Sequence, residues 1–82
     1  MNLMRLGAML RKRRGDHSIK SAAKGLKISA RTYRLIELGR QRPQIRTCYI
    51  LAVFLGKPSD EILTLAGYTV LGKKVVPTQT MF

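Results

Sequence analysis

Apolar residues along this chain recur mainly at three- and four-residue steps rather than in alternation, so the pattern reads as helical over most of its length. Leu3, Leu6, Met9 and Leu10 make one face of a first helix running into the basic stretch Arg11 to Arg14, which suits the negative C-terminal end of a helix dipole. Gly15 and Asp16 end it. Ser18 is placed to cap a second, short helix from Ile19 to about Gly25, with Ile19, Ala22, Ala23 and Leu26 turned inward. Ser29 does the same for a third helix reaching about Leu38, on which Tyr33 and Ile36 share a face, and Gly39 closes it. Gln44 leads into a fourth helix carrying Ile45, Cys48, Tyr49, Leu51, Ala52 and Leu55, broken by Gly56 and Pro58. Ser59 then opens a fifth, with Asp60 and Glu61 at its dipole-favourable end and Ile62, Leu63 and Leu65 beyond, stopped by Gly67.

From Tyr68 to Phe82 the periodicity fades. Val70, Leu71, Val75 and Val76 surround Gly72, Lys73 and Lys74, a pattern compatible with a weak strand or hairpin and equally with a loose tail. The expectation is therefore a compact, all-α, five-helix domain over residues 1–67, followed by a short C-terminal tail over residues 68–82. A chain of 82 residues has room for one domain. Its 45% apolar content with 6% aromatic residues and no Trp suits a core of Leu, Ile, Val, Ala and Met.

Charge changes the picture from a small bundle to one with a polyanionic partner. Sixteen Lys and Arg against four Asp and Glu give a formal net charge of +12. Nucleic acid is the first candidate, because neutralising phosphates releases condensed counterions and drives binding without sequence information. Enzyme classes fall away. Cys48 is the one cysteine and His17 the one histidine, so neither an internal disulfide nor a Cys/His metal set is available. There is also no phosphate-binding Gly loop, carboxylate pair or nucleophile set, and no cofactor is expected. Cys48 reads as a small core residue and His17 as a loop residue. No apolar stretch approaches the ~20 residues of a membrane span. The charge order at the start, apolar and then basic, reverses that of a secretory signal, so a soluble, cytoplasmic protein is expected.

The informative stretch runs from Ser18 to Pro43. Two short capped helices joined by a brief turn cross steeply enough to present the second outward, the geometry of a helix-turn-helix. Ala22 and Ala23 allow the close approach, and Ile28 fills the turn. These residues resemble the phage Cro/repressor-like (XRE-type) helix-turn-helix family, and the resemblance covers Leu6 to Leu63. Its second-helix cap resembles Ser18, its Leu-Ala pair Ala22-Ala23, its turn apolar Ile28 and its recognition-helix cap Ser29. Its buried aliphatic pair is similar to Tyr33 and Ile36, its Glu-x-Gly to Glu37-Leu38-Gly39, and its basic loop to Arg40 to Pro43. Leu51, Ala52, Leu55, Gly56 and Ser59 to Leu63 continue the pattern. Two positions depart from it: Ile19 stands where a Gln is usual, and Lys27 where Gly is common.

The resemblance implies a lambda-repressor-like fold that places the third helix in the major groove, whose donor, acceptor and methyl pattern distinguishes all four base pairs. Ala30, Arg31, Thr32 and Arg34 are then the base-contacting residues, with Arg31 best suited to span the two acceptors of guanine. Phosphate contacts are expected from Ser18, Lys20, Lys27, Ser29, Arg40, Arg42 and Arg46. Glu37 is expected beneath the recognition helix, paired with an arginine of the first helix, Arg11. A single module of this size covers little DNA, so a homodimer is expected on a palindromic operator, joined through Leu65, Tyr68, Val70 and Leu71. The function implied is that of a transcriptional repressor binding double-stranded DNA, with no membrane partner and no small-molecule ligand. Two other classes stay open: a protein-interaction module of the antitoxin or anti-repressor kind, and a basic RNA-binding protein.

Overall fold

The computed structural model describes residues 1–78; the remainder of the expected tail lies outside the described residues. Five helices and a hairpin follow in order: α1 (Leu3–Arg14), α2 (Ile19–Leu26), α3 (Ala30–Glu37), α4 (Ile45–Leu55), α5 (Ser59–Leu65), β1 (Tyr68–Leu71) and β2 (Lys74–Pro77). The starts of α2 and α3 follow the caps read from the sequence. Ser18 accepts a hydrogen bond from the Ser21 amide at 3.0 Å, and Ser29 accepts one from the Thr32 amide at 3.0 Å. Each satisfies one of the amides that a helix start leaves without an intrahelical partner. Asn2 caps α1 by accepting from the Arg5 amide at 3.0 Å, a cap the apolar pattern did not mark.

The core draws on every helix. Leu6 and Leu10 of α1, Ala22, Ala23 and Leu26 of α2, Tyr33 and Ile36 of α3, Cys48, Leu51 and Ala52 of α4, and Ile62 and Leu63 of α5 are all buried. Cys48 is fully enclosed, with its Sγ 3.9 Å from the Pro43 carbonyl oxygen, and burial pushes its thiol pKa up to about 11. That keeps it a small apolar residue rather than a reactive thiolate.

The segment after Gly67 corrects the purely helical expectation. β1 and β2 pair antiparallel, Tyr68 with Pro77 and Leu71 with Lys74, around the turn at Gly72. Tyr68 belongs to the core, and its hydroxyl donates to the Pro43 carbonyl at 2.8 Å. Val70 and Val75 lean on the same core, whereas Leu71 and Val76 face outward. The hairpin is thus welded to the helical body by its first residue.

Helix α3 is held from below by α1 at unusually short range. A Cβ on Gly7 would overlap the Glu37 carbonyl oxygen, so glycine is required there although its backbone is ordinary helix. We expect Gly7→Ala to push the two helices apart and to destabilise by about 2 kcal/mol, the scale of overpacking a tight contact. For a domain of this size that lowers Tm by roughly 10 °C in a thermal melt. An unchanged Tm would show that the α1–α3 contact is not tight.

Candidate nucleic-acid interface

The turn between α2 and α3 sets the crossing of the two helices. Lys27 adopts the left-handed conformation at φ 58°, and the Lys27 and Ile28 amides close back on the Lys24 and Ala23 carbonyls at 3.1 Å each. This is the reversal that glycine makes most easily, which explains why glycine is common here and why lysine stores backbone strain. Ile28 is half-buried against the core, as its role in filling the turn requires.

What α3 presents outward is basic. Ala30, Arg31 and Arg34 are exposed and line a shallow concave surface together with Ile19 and Lys20 from the start of α2. Ile19 therefore supplies an apolar rim where a polar residue is usual. Thr32, grouped with those residues in the sequence, stands on the other flank of α3. Its Oγ1 lies 2.8 Å from the Ser29 Oγ, and it shares a second concavity with Gln41, Gln44 and Thr47. Those three uncharged polar residues were not singled out from the sequence. Their only signal was position, in the loop after α3 and one turn apart at the start of α4. Lys27, Arg40 and Arg46 are exposed.

Two arginines have roles other than those expected. Arg42 does not point outward as a phosphate contact. Its Nε donates to the Ala66 carbonyl at 2.8 Å, its Nη2 donates to the Gly67 carbonyl, and its guanidinium stacks 4.3 Å from the centre of the Tyr68 ring. It staples the α3–α4 loop to the end of α5, satisfying carbonyls that a helix terminus leaves open. Tyr68, expected at a dimer surface, is occupied by the same staple and by the core.

The partner of Glu37 is Arg14, not Arg11. Arg14 donates from Nε to Glu37 Oε2 at 2.9 Å and from Nη2 to Oε1 at 2.7 Å, and from Nη1 to the His17 carbonyl at 2.8 Å. Helical side chains lean toward the N-terminus of their helix, so the residue that reaches a neighbour lies further along the chain than the point of contact. Gly7, Arg11 and Arg14 share a flank of α1, and the lean selects Arg14. Arg11 contributes only longer-range attraction.

The bidentate hydrogen bond from Arg14 holds the Glu37 carboxyl below the usual carboxylate range. Tyr33 is buried beside this pair with its hydroxyl lacking a hydrogen-bond partner among the described residues, and burial together with the neighbouring carboxylate raises its pKa. Among the described residues no group of three or more His, Cys, Asp and Glu is placed to hold a metal. No described helix is long and apolar enough to cross a membrane.

Two outcomes are expected. A carboxylate with a depressed folded pKa stabilises the fold above its unfolded pKa of about 4.3, and that contribution is lost as pH falls through the lower folded value. Glu37→Gln should therefore melt below the parent at neutral pH, with the gap closing in acid; a pH-independent gap would rule out the ion pair as its origin. Lys27→Gly removes left-handed strain of about 1 kcal/mol, partly offset by the greater freedom of glycine in the unfolded chain, for a net gain of about 0.5 kcal/mol. A lower Tm for this variant would show that the turn is not strained.

A family model described as Helix-turn-helix matches residues 8–62, more than half of the chain. No curated protein and no solved structure gives a match. The matched segment opens within α1, contains α2, the turn and α3, and ends in α5. This chain belongs to the XRE-type helix-turn-helix family of DNA-binding regulators, a regulatory rather than catalytic class.

Proposed function

We propose that the protein is a sequence-specific repressor that works in the cytoplasm and binds a palindromic operator as a homodimer, with the N-terminal half of α3 in the major groove. The observation that carries this reading is the exposed pair Arg31 and Arg34 on the outward face of α3, beside Lys20 on one shallow surface. Arg31 is the guanine reader, since a guanidinium spans the O6 and N7 acceptors. Ala30 offers a methyl contact to thymine, and Thr32 reads from the opposite flank of the helix. Lys20, Lys27, Arg40 and Arg46 contact phosphates, joined by the exposed helix starts at Ser18 and Ser29. Arg42 leaves that set, because its donors are turned inward.

Dimerisation is proposed through the outward face of the hairpin, where Leu71 is 57% and Val76 36% exposed, with Val70 and Leu65, which pack partly against the core, adding the area they leave open. Open strand edges add unpaired backbone groups that a second copy satisfies. Two half-sites about 34 Å apart supply the DNA contact that one module lacks. Repression follows from occupancy, since a bound dimer excludes other proteins from the same stretch of duplex.

Selection from a randomised duplex pool tests the reading. A palindromic site should emerge, and Arg31→Ala should relax discrimination at one base pair per half-site by about 1–3 kcal/mol. Arg40→Ala should weaken all sequences alike and reduce the salt slope by about 1. A pool that shows no enrichment, with affinity that merely collapses in salt, would overturn sequence-specific binding.

A further inference from the structure

The cations of this protein do not all face one way. On the flank of α1 away from α3, a groove of about 560 Å³ runs between α1, the end of α4 and α5. Met9 and Leu55, both half-buried, form its apolar floor, while Arg5, Lys12, Arg13 and Lys57 rim it. Successive residues on a helix are about 100° apart, so Gly7 and Arg14, which meet α3, lie on a different flank from Met9 and Arg13. None of the four rim cations belongs to the surface around Arg31 and Arg34.

We propose that this groove receives an acidic amphipathic helix of a partner protein, an interaction separate from the DNA-facing surface. Four cations around an apolar floor complement a segment that carries aliphatic residues one turn apart and carboxylates on either side of them. Met9 suits the floor, because an unbranched thioether adapts to whatever side chain enters. Arg13 is set in advance: its Nε donates to the Phe54 carbonyl at 3.0 Å and its guanidinium lies 5.2 Å from the centre of the Phe54 ring. With Nε so engaged, both Nη groups remain for a carboxylate, and less freedom is lost on capture. A nucleic-acid backbone fits the groove less well. It has no aliphatic anchors for Met9 and Leu55, whereas Glu61, which also lines the groove, opposes phosphates and carboxylates alike.

The test uses the full chain and a labelled helical peptide with two Leu one turn apart and Glu at most other positions, read by fluorescence anisotropy. Saturable binding is expected, about tenfold tighter than for a peptide of the same composition with the Leu spacing scrambled. Lys12→Glu combined with Lys57→Glu should weaken it by about tenfold while the fold is kept, since both side chains are exposed and reversing a charge in the last turn of α1 lowers Tm only slightly. Lys73→Glu combined with Lys74→Glu makes the same charge change on the hairpin and should have little effect. Absence of saturable binding, equal binding of the scrambled peptide, or equal loss in both double variants would overturn the proposal. So would a loss of duplex DNA binding in the Lys12/Lys57 variant as large as that caused by Arg40→Glu at a proposed phosphate-contacting position, which would assign the groove to nucleic acid.

Discussion

The carboxylate of Glu37 sits at the C-terminal end of α3, where the helix dipole disfavours a negative charge. Arg14 supplies the compensation through two short hydrogen bonds, while the missing side chain of Gly7 lets the α1 backbone come up against the Glu37 carbonyl. Together they fix the height and tilt of α3 on the body of the protein. The third Arg14 hydrogen bond, to the His17 carbonyl, extends the same constraint into the loop that starts α2. A single guanidinium thus holds the end of one helix of the pair and the entry to the other. The outward pose of Arg31 and Arg34 follows from this clamp as much as from the turn at Lys27.

A second staple organises the opposite end. Arg42 leaves the α3–α4 loop, stacks on Tyr68 and closes the carbonyls of Ala66 and Gly67, while the Tyr68 hydroxyl returns to Pro43. The hairpin is therefore positioned relative to the recognition unit by Arg42 of the α3–α4 loop and Tyr68 of β1, together with the packing of Val70 and Val75 on the core. Its outward residues, Leu71 and Val76, are held at a set place with respect to α3. The proposed two-fold assembly on DNA half-sites would require such fixed geometry.

Sequence patterning was most informative where chemistry is local. The caps at Ser18 and Ser29, the stops at Gly39 and Gly56, and the inward faces of all five helices depend on neighbours within a turn or two. The basic outward face of α3 was legible for the same reason, because Tyr33 and Ile36 define the inside and leave Ala30, Arg31 and Arg34 outside. In sequence a cation in a basic loop looks identical whether it faces phosphate or carbonyl, so the inward role of Arg42 is not legible there. Arg11 and Arg14 lie on one flank of α1, so which of them meets Glu37 depends on the separation and crossing of the two helices together with the lean of the side chains. Thr32 was grouped with Arg31 by adjacency, although adjacent helical residues point about 100° apart.

By itself the sequence determined the presence and order of the five helices, the capped starts of α2 and α3, the aliphatic core and the excess of positive charge. All of these follow from periodicity and from bonds made within a few residues. Only the tertiary structure decided which arginines are tied inward, that Tyr68 joins the core and leaves the outward hairpin face to Leu71 and Val76, and that a cationic groove lies on the flank of α1 away from α3. Those outcomes depend on pairs such as Arg14 with Glu37 and Arg42 with Ala66, far apart along the chain. Their meeting is set by how whole helices cross, which no local pattern encodes.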